Sequence, residues 1–103
     1  FKKQSKISDF PASYRDLSFS LDNHENLGEL SAMIKKHKDS SKLMTDCFIF
    51  DLFENKKQNI LKVGYRFKFQ AIENNITVEE TEAVMNPLIK ESIEIDGVNI
   101  EGL

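Results

Sequence analysis

Two β-strands joined by a polar loop account for residues 45–70, and no other stretch limits the fold so tightly. In the run Cys47-Phe48-Ile49-Phe50-Asp51-Leu52-Phe53, a period of two sends Phe48, Phe50 and Leu52 to one face and Cys47, Ile49, Asp51 and Phe53 to the other. The second run, residues 61–70, divides more cleanly. Val63, Tyr65, Phe67 and Phe69 share one side, while Lys62, Gly64, Arg66, Lys68 and Gln70 share the other, the pattern of a strand with one buried and one wet face. Residues 54–59 between the runs carry no apolar side chain, which suits a hairpin loop. Pairing the strands with their apolar faces together leaves an open face bearing Ile49, Asp51, Phe53, Lys62, Arg66 and Lys68. That surface combines cations, one carboxylate and an aromatic ring.

The rest of the chain supplies elements that cover the other face. Residues 1–10 read as an extended arm, and residues 11–103 as the domain, with Pro11 disfavouring helix in Phe10. Leu17, Phe19 and Leu21 alternate with Asp16, Ser18 and Ser20 as a first strand over residues 14–21. After a turn-rich loop at residues 22–26, Leu27, Leu30, Met33, Ile34 and His37 recur at helical spacing. Lysines in 35–38 suit the negative end of that helix, which is expected to close near Lys38. A turn at residues 73–75 precedes Thr77, and Glu80 three residues on gives the form of a capping box. The second helix carries Val84, Met85, Leu88 and Ile89 as its stripe. Pro87 lies inside it, at a cost of about 3 kcal/mol in a regular helix, so a kink or a break at Asn86 is expected. Gly97 ends the helical region, and Val98 and Ile100 form a short last strand. The order β-α-β-β-α-β, with one-sided strands and amphipathic helices, predicts an α+β ferredoxin-like sandwich: a four-stranded antiparallel sheet with two helices on one face.

A single domain of 103 residues buries roughly 60–70% of its unfolded surface and needs no staples. The lone Cys47 excludes an internal disulfide, and no apolar run approaches the ~20 residues of a membrane span. These features point to no membrane partner and to an intracellular, cytoplasmic setting. The chain opens on Phe1 rather than Met, so it is expected to be a piece cut from a longer protein or a chain processed at its N-terminus. With a net charge of −3 and a pI near 5.4, whole-domain electrostatics do not draw a polyanion, so any nucleic-acid role rests on a local patch. Catalytic chemistry is not encoded. The four glycines, Gly28, Gly64, Gly97 and Gly102, are too scattered for a phosphate loop. His24 and His37 have no second ligand at metal spacing, which makes His37 the polar edge of the first helix. Cys47 has no base beside it in sequence and reads as a small strand residue.

Spacing alone fits two readings of the open face. In one, Lys62, Arg66 and Lys68 are solvated strand residues, paired with Asp51, in a regulatory or protein-interaction module. In the other, an aromatic ring stacks on a base and the cations track a phosphate backbone, as sheet-face modules do with single-stranded RNA. Four segments bear on the choice: Phe10-Pro11-Ala12-Ser13-Tyr14-Arg15-Asp16-Leu17-Ser18-Phe19, Ile49-Phe50-Asp51-Leu52-Phe53, Val63-Gly64-Tyr65-Arg66-Phe67-Lys68-Phe69-Gln70, and Ile76-Thr77-Val78-Glu79-Glu80. In this order they resemble the ferredoxin-fold anticodon-binding domain of phenylalanyl-tRNA synthetase, over essentially the whole chain.

The resemblance implies the C-terminal module of the bacterial β chain, which holds the anticodon stem-loop of phenylalanine tRNA. Catalysis, with its ATP and magnesium, then occurs elsewhere in an enzyme that also contains the α chain. The monomeric organellar synthetase carries the same module, which would place the protein in an organellar matrix. The resemblance puts Asp51 and Phe53, the counterparts of an Asp and a Tyr, against the anticodon. It aligns Lys62 with a serine, where a phosphate contact is the fitting role, and leaves Arg66 and Lys68 as further RNA-binding cations. This chain by itself is expected to support no phenylalanine-dependent ATP–pyrophosphate exchange above a blank; exchange by the pure protein would overturn the non-catalytic reading.

Overall fold

The computed structural model describes residues 12–71 and 76–102; the expected arm and the turn at 73–75 lie outside them. The elements follow in the order β1 (Ser13–Leu21), α1 (Glu25–Ser40), β2 (Met44–Asn55), β3 (Ile60–Phe69), α2 (Val78–Ile93) and β4 (Val98–Glu101). The strands make one antiparallel sheet in the order β2-β3-β1-β4. This is the ferredoxin-like α+β architecture that the alternation predicts.

Because β3 lies inside the sheet, one of its faces can be sealed completely. Leu61, Val63, Tyr65, Phe67 and Phe69 are all buried, and they meet Phe19 and Leu21 of β1 beneath Leu30, Met33 and Ile34 of α1 and Met85 and Leu88 of α2. The register sets Phe19 opposite Val63 and Leu21 opposite Leu61, so the two apolar stripes coincide. The Tyr65 hydroxyl, carried into this core, shares a hydrogen bond of 2.8 Å with Ser31 Oγ, and its ring meets Phe19 edge-on. An unmet hydroxyl there would cost about 1–3 kcal/mol.

Helix boundaries follow local chemistry. The N-cap of α1, His24, makes no side-chain cap bond; Asn23, one residue before it, accepts from the Glu25 N–H at 2.9 Å instead. The helix runs to Ser40, two residues past the expected end. At α2 the capping box is complete: Thr77 accepts from the Glu80 N–H at 3.1 Å and Glu80 accepts from the Thr77 N–H at 2.9 Å. Contrary to expectation, α2 is not broken at Asn86 but continues through Pro87 to Ile93. Pro87 and Ala83, whose carbonyl loses its usual donor, are both exposed, which leaves that carbonyl open to solvent. Glu91 then joins the helices, accepting from Lys36 Nζ at 3.0 Å and bonding His37 Nε2 at 2.8 Å.

The β2–β3 hairpin departs most from simple alternation. Its loop is only residues 56–59, because β2 extends to Asn55 and β3 starts at Ile60; Asn59 takes the left-handed conformation (φ 56°) that closes it. Two register shifts interrupt β2, one between Met44 and Asp46 and one between Ile49 and Asp51. At the second, Ile49 faces Tyr65 and Asp51 faces Gly64, so Phe50 is the extra residue of a bulge. The expected faces are therefore wrong for part of the strand. Phe48 lies opposite Arg66 on the open face and Ile49 opposite Tyr65 on the helix side, the reverse of the period-two assignment.

Near the sheet's far end, Asn26 Nδ2 donates to the Asp96 carbonyl at 2.9 Å, and Gly97 reverses the chain into β4 at φ 88°. A Cβ at Gly97 would stand 2.6 Å from Asn26 Oδ1, whereas one at Gly102, with φ 83°, would meet nothing. The left-handed conformation alone costs a non-glycine residue about 1–2 kcal/mol. Gly97→Ala is expected to lose about 2 kcal/mol or more and Gly102→Ala less, read as urea midpoints at unchanged m.

Candidate nucleic-acid interface

The open face of the sheet gathers side chains from all four strands. Across β2, Asp46, Phe48, Asp51 and Phe53 stand opposite Lys68, Arg66, Gly64 and Lys62 of β3. Tyr14 and Asp16 of β1 stand opposite Lys68 and Arg66, and Glu101 of β4 lies beside Ser18. The bulge residue Phe50 belongs here too. Gly64 offers no side chain on this face, and a Cβ there would come within 3.0 Å of the Phe50 ring. A glycine opposite the bulge is thus what lets the ring lie flat against the sheet. Phe48, Phe50, Phe53 and Tyr14 are 42%, 44%, 57% and 54% exposed, which makes this an aromatic surface that no element among the described residues covers.

Its charges are largely committed. Arg66 donates through Nε and Nη2 to the two carboxylate oxygens of Asp16, each at 2.9 Å, and its guanidinium lies 4.7 Å from the centre of the Phe50 ring. A forked pair stacked on an aromatic ring is held in one orientation. Arg66 in turn holds the Asp16 carboxyl below its ordinary range, chiefly through the hydrogen bonds. Lys62 reaches Glu101 at 2.8 Å. The sequence expectation of cations paired with Asp51 is corrected: Arg66 takes Asp16, Lys62 takes Glu101, and neither Asp51 nor Lys68 has an ion-pair partner among the described residues. The four carboxylates of this face outnumber its three cations.

Asp51, Phe53, Lys62, Arg66 and Lys68, the residues singled out from sequence, all lie on this one face. Tyr14, Phe48 and Phe50 were missed as members of it. The available signal was that residues 47–53 are apolar on both parities, which a regular strand with one wet face does not tolerate, together with a glycine in the facing strand.

The ferredoxin-fold anticodon binding domain model matches residues 8–99. The chain belongs to this family. No individual curated protein matches it. In an anticodon-binding domain the ligand is RNA, and an exposed sheet face bearing rings is the arrangement on which unpaired bases stack. Among the described residues no group of three His, Cys, Asp or Glu side chains can hold a metal, and no described helix is long and apolar enough to cross a membrane. His24 is spent on Glu54, 3.2 Å away, and His37 on Glu91. Burial raises the Cys47 thiol above its ordinary value, the opposite of an activated nucleophile.

The Asp16–Arg66 pair has a pH signature. A carboxyl depressed in the folded state contributes stability that is present above its unfolded value and lost as pH falls through the folded one. Carbon-detected NMR titration is expected to place Asp16 below its ordinary 3.8, and Arg66→Gln to return it toward that value. An unmoved titration would mean the fork does not persist in solution.

Proposed function

We propose that this domain is the anticodon-binding module of a phenylalanine–tRNA ligase, with the anticodon loop of phenylalanine tRNA laid across the open sheet face. The observation that carries this reading is the row of exposed rings, Phe48, Phe50 and Phe53, on the open face of a domain of this family. The four sequence segments that resemble the phenylalanyl-tRNA synthetase module support the amino-acid identity, and the rest of that enzyme, including its α chain, would supply catalysis.

On this reading the rings carry affinity and Asp51 carries selectivity. An aromatic ring stacks on any base and contributes about 1–3 kcal/mol. Asp51 has no cation partner among the described residues, so its oxygens remain acceptors for base-edge amino groups while repelling phosphate. Arg66, gripped by Asp16, keeps the Phe50 ring and its own guanidinium plane in place rather than seeking phosphate. Lys68 and Lys62 are left for the backbone, the latter by exchanging Glu101 for a phosphate oxygen. Few phosphate contacts imply a shallow dependence of affinity on salt.

Binding of this chain to a hairpin carrying the phenylalanine anticodon, and to hairpins with single anticodon substitutions, tests the assignment. Phe53→Ala is expected to weaken all hairpins alike, by roughly 5- to 150-fold, and Phe53→Tyr to be mild. Asp51→Asn is expected to relax discrimination at one anticodon position with overall affinity nearly unchanged. If both folded variants retain wild-type affinity and preference, the face is an ordinary solvated surface and the assignment fails.

A further inference from the structure

β4 covers only part of β1. It pairs with residues 18–21 and ends at Glu101, where Gly102 leaves the extended conformation at φ 83°. Residues 13–17 therefore have β3 on one side and no strand on the other among the described residues. Between this edge and α2 lies a half-open cleft of about 700 Å³, within the ~300–1,000 Å³ typical of small-molecule sites. Its apolar lining is Leu17, Ile89 and the buried Met85. The polar lining includes the Arg15–Glu82 pair on the helix side. It also includes Asn86, whose amide makes no hydrogen bond among the described residues.

The cleft opens onto the sheet face, because Tyr14, Asp16 and Arg66 line both. Resting on the RNA reading of that face, we propose that the cleft receives one unstacked nucleobase from the same loop. A base suits it on three counts. It has a flat apolar body for Leu17, Met85 and Ile89. It has donors and acceptors along its edge for the Asn86 amide, the Tyr14 hydroxyl and the carboxylate oxygens that face it. It is also tethered to a chain already lying on the adjoining surface. A phosphate does not suit it, since Glu82 and Asp16 leave the lining without net positive charge. From Lys62 to Lys68 along β3 is about 20 Å at ~3.3 Å per residue, a span that several nucleotides of a loop bridge. Asp51 and Phe53 at one end and the cleft at the other would then hold different nucleotides.

The test uses the full chain and the phenylalanine-anticodon hairpin with 2-aminopurine placed at each loop position in turn. One position is expected to change its emission on binding. Asn86→Ala, at an exposed site that does not threaten folding, and Ile89→Trp, which fills the cleft, are each expected to return that position toward its free emission and to weaken binding roughly five-fold or more. Phe53→Ala should weaken binding while leaving that signature intact in the bound state. If the hairpin binds and responds to Phe53→Ala, but Asn86→Ala and Ile89→Trp alter neither affinity nor any emission, the cleft holds no base and the RNA reading of the face stands. Failure of the wild-type hairpin to bind at all overturns both.

Discussion

Everything in this domain leans on the sealed face of β3. Five consecutive inward side chains, from Leu61 to Phe69, are buried, and at roughly 1.5–3 kcal/mol per large apolar side chain no other strand holds a comparable share of the hydrophobic driving force. That burial dictates the register of both neighbours, since a slip of one residue would bring Lys62, Arg66 and Lys68 under the helices. It also dictates what remains outside. Once one face of β3 is committed to the core, its alternate residues must form the open face, and the chemistry there follows from which neighbours the register sets beside them.

The bulge at Phe50 shows how a local irregularity can alter a surface without disturbing the core. From Asp46 to Ile49, β2 keeps step with β3; one extra residue then lets Phe50 and Asp51 both attend the open face opposite Gly64, after which Leu52 and Phe53 resume alternation. The same device bends the outer edge of β2, which discourages further strand pairing. What this yields is a face of rings and locked charge rather than a basic patch. Arg66 is bound in-plane by Asp16 and beneath by Phe50, a geometry in which a guanidinium serves as a fixed plate.

These features define the kind of RNA the domain can engage. A duplex backbone offers phosphates and little else to such a surface, and carboxylates there would repel it. An unpaired loop offers base faces and edges, for which exposed phenylalanines and an uncommitted carboxylate are matched. Membership of the anticodon-binding family and the shape of the face thus agree on the same chemistry, and the cleft beside β1 extends it to a nucleotide that leaves the stack.

Much of this was legible in the residues themselves. Hydrophobic period, capping chemistry and turn residues determined the six elements, their order and the sandwich they must form, because each depends on side chains close in sequence. Asp51, Phe53, Lys62, Arg66 and Lys68 could be grouped because an alternating strand and its partner share faces. Period-two reasoning failed at Phe48 and Phe50, since a bulge is stabilised by space on the facing strand, here Gly64. The pairing of Arg66 with Asp16 and of Lys62 with Glu101 was decided only by the fold, because those partners lie 50 and 39 positions apart and become neighbours only after β1 and β4 take their places in the sheet. The same holds for Pro87, which ends a helix in isolation but is tolerated when it and Ala83 face water and α2 is anchored by Met85 and Leu88 in the core.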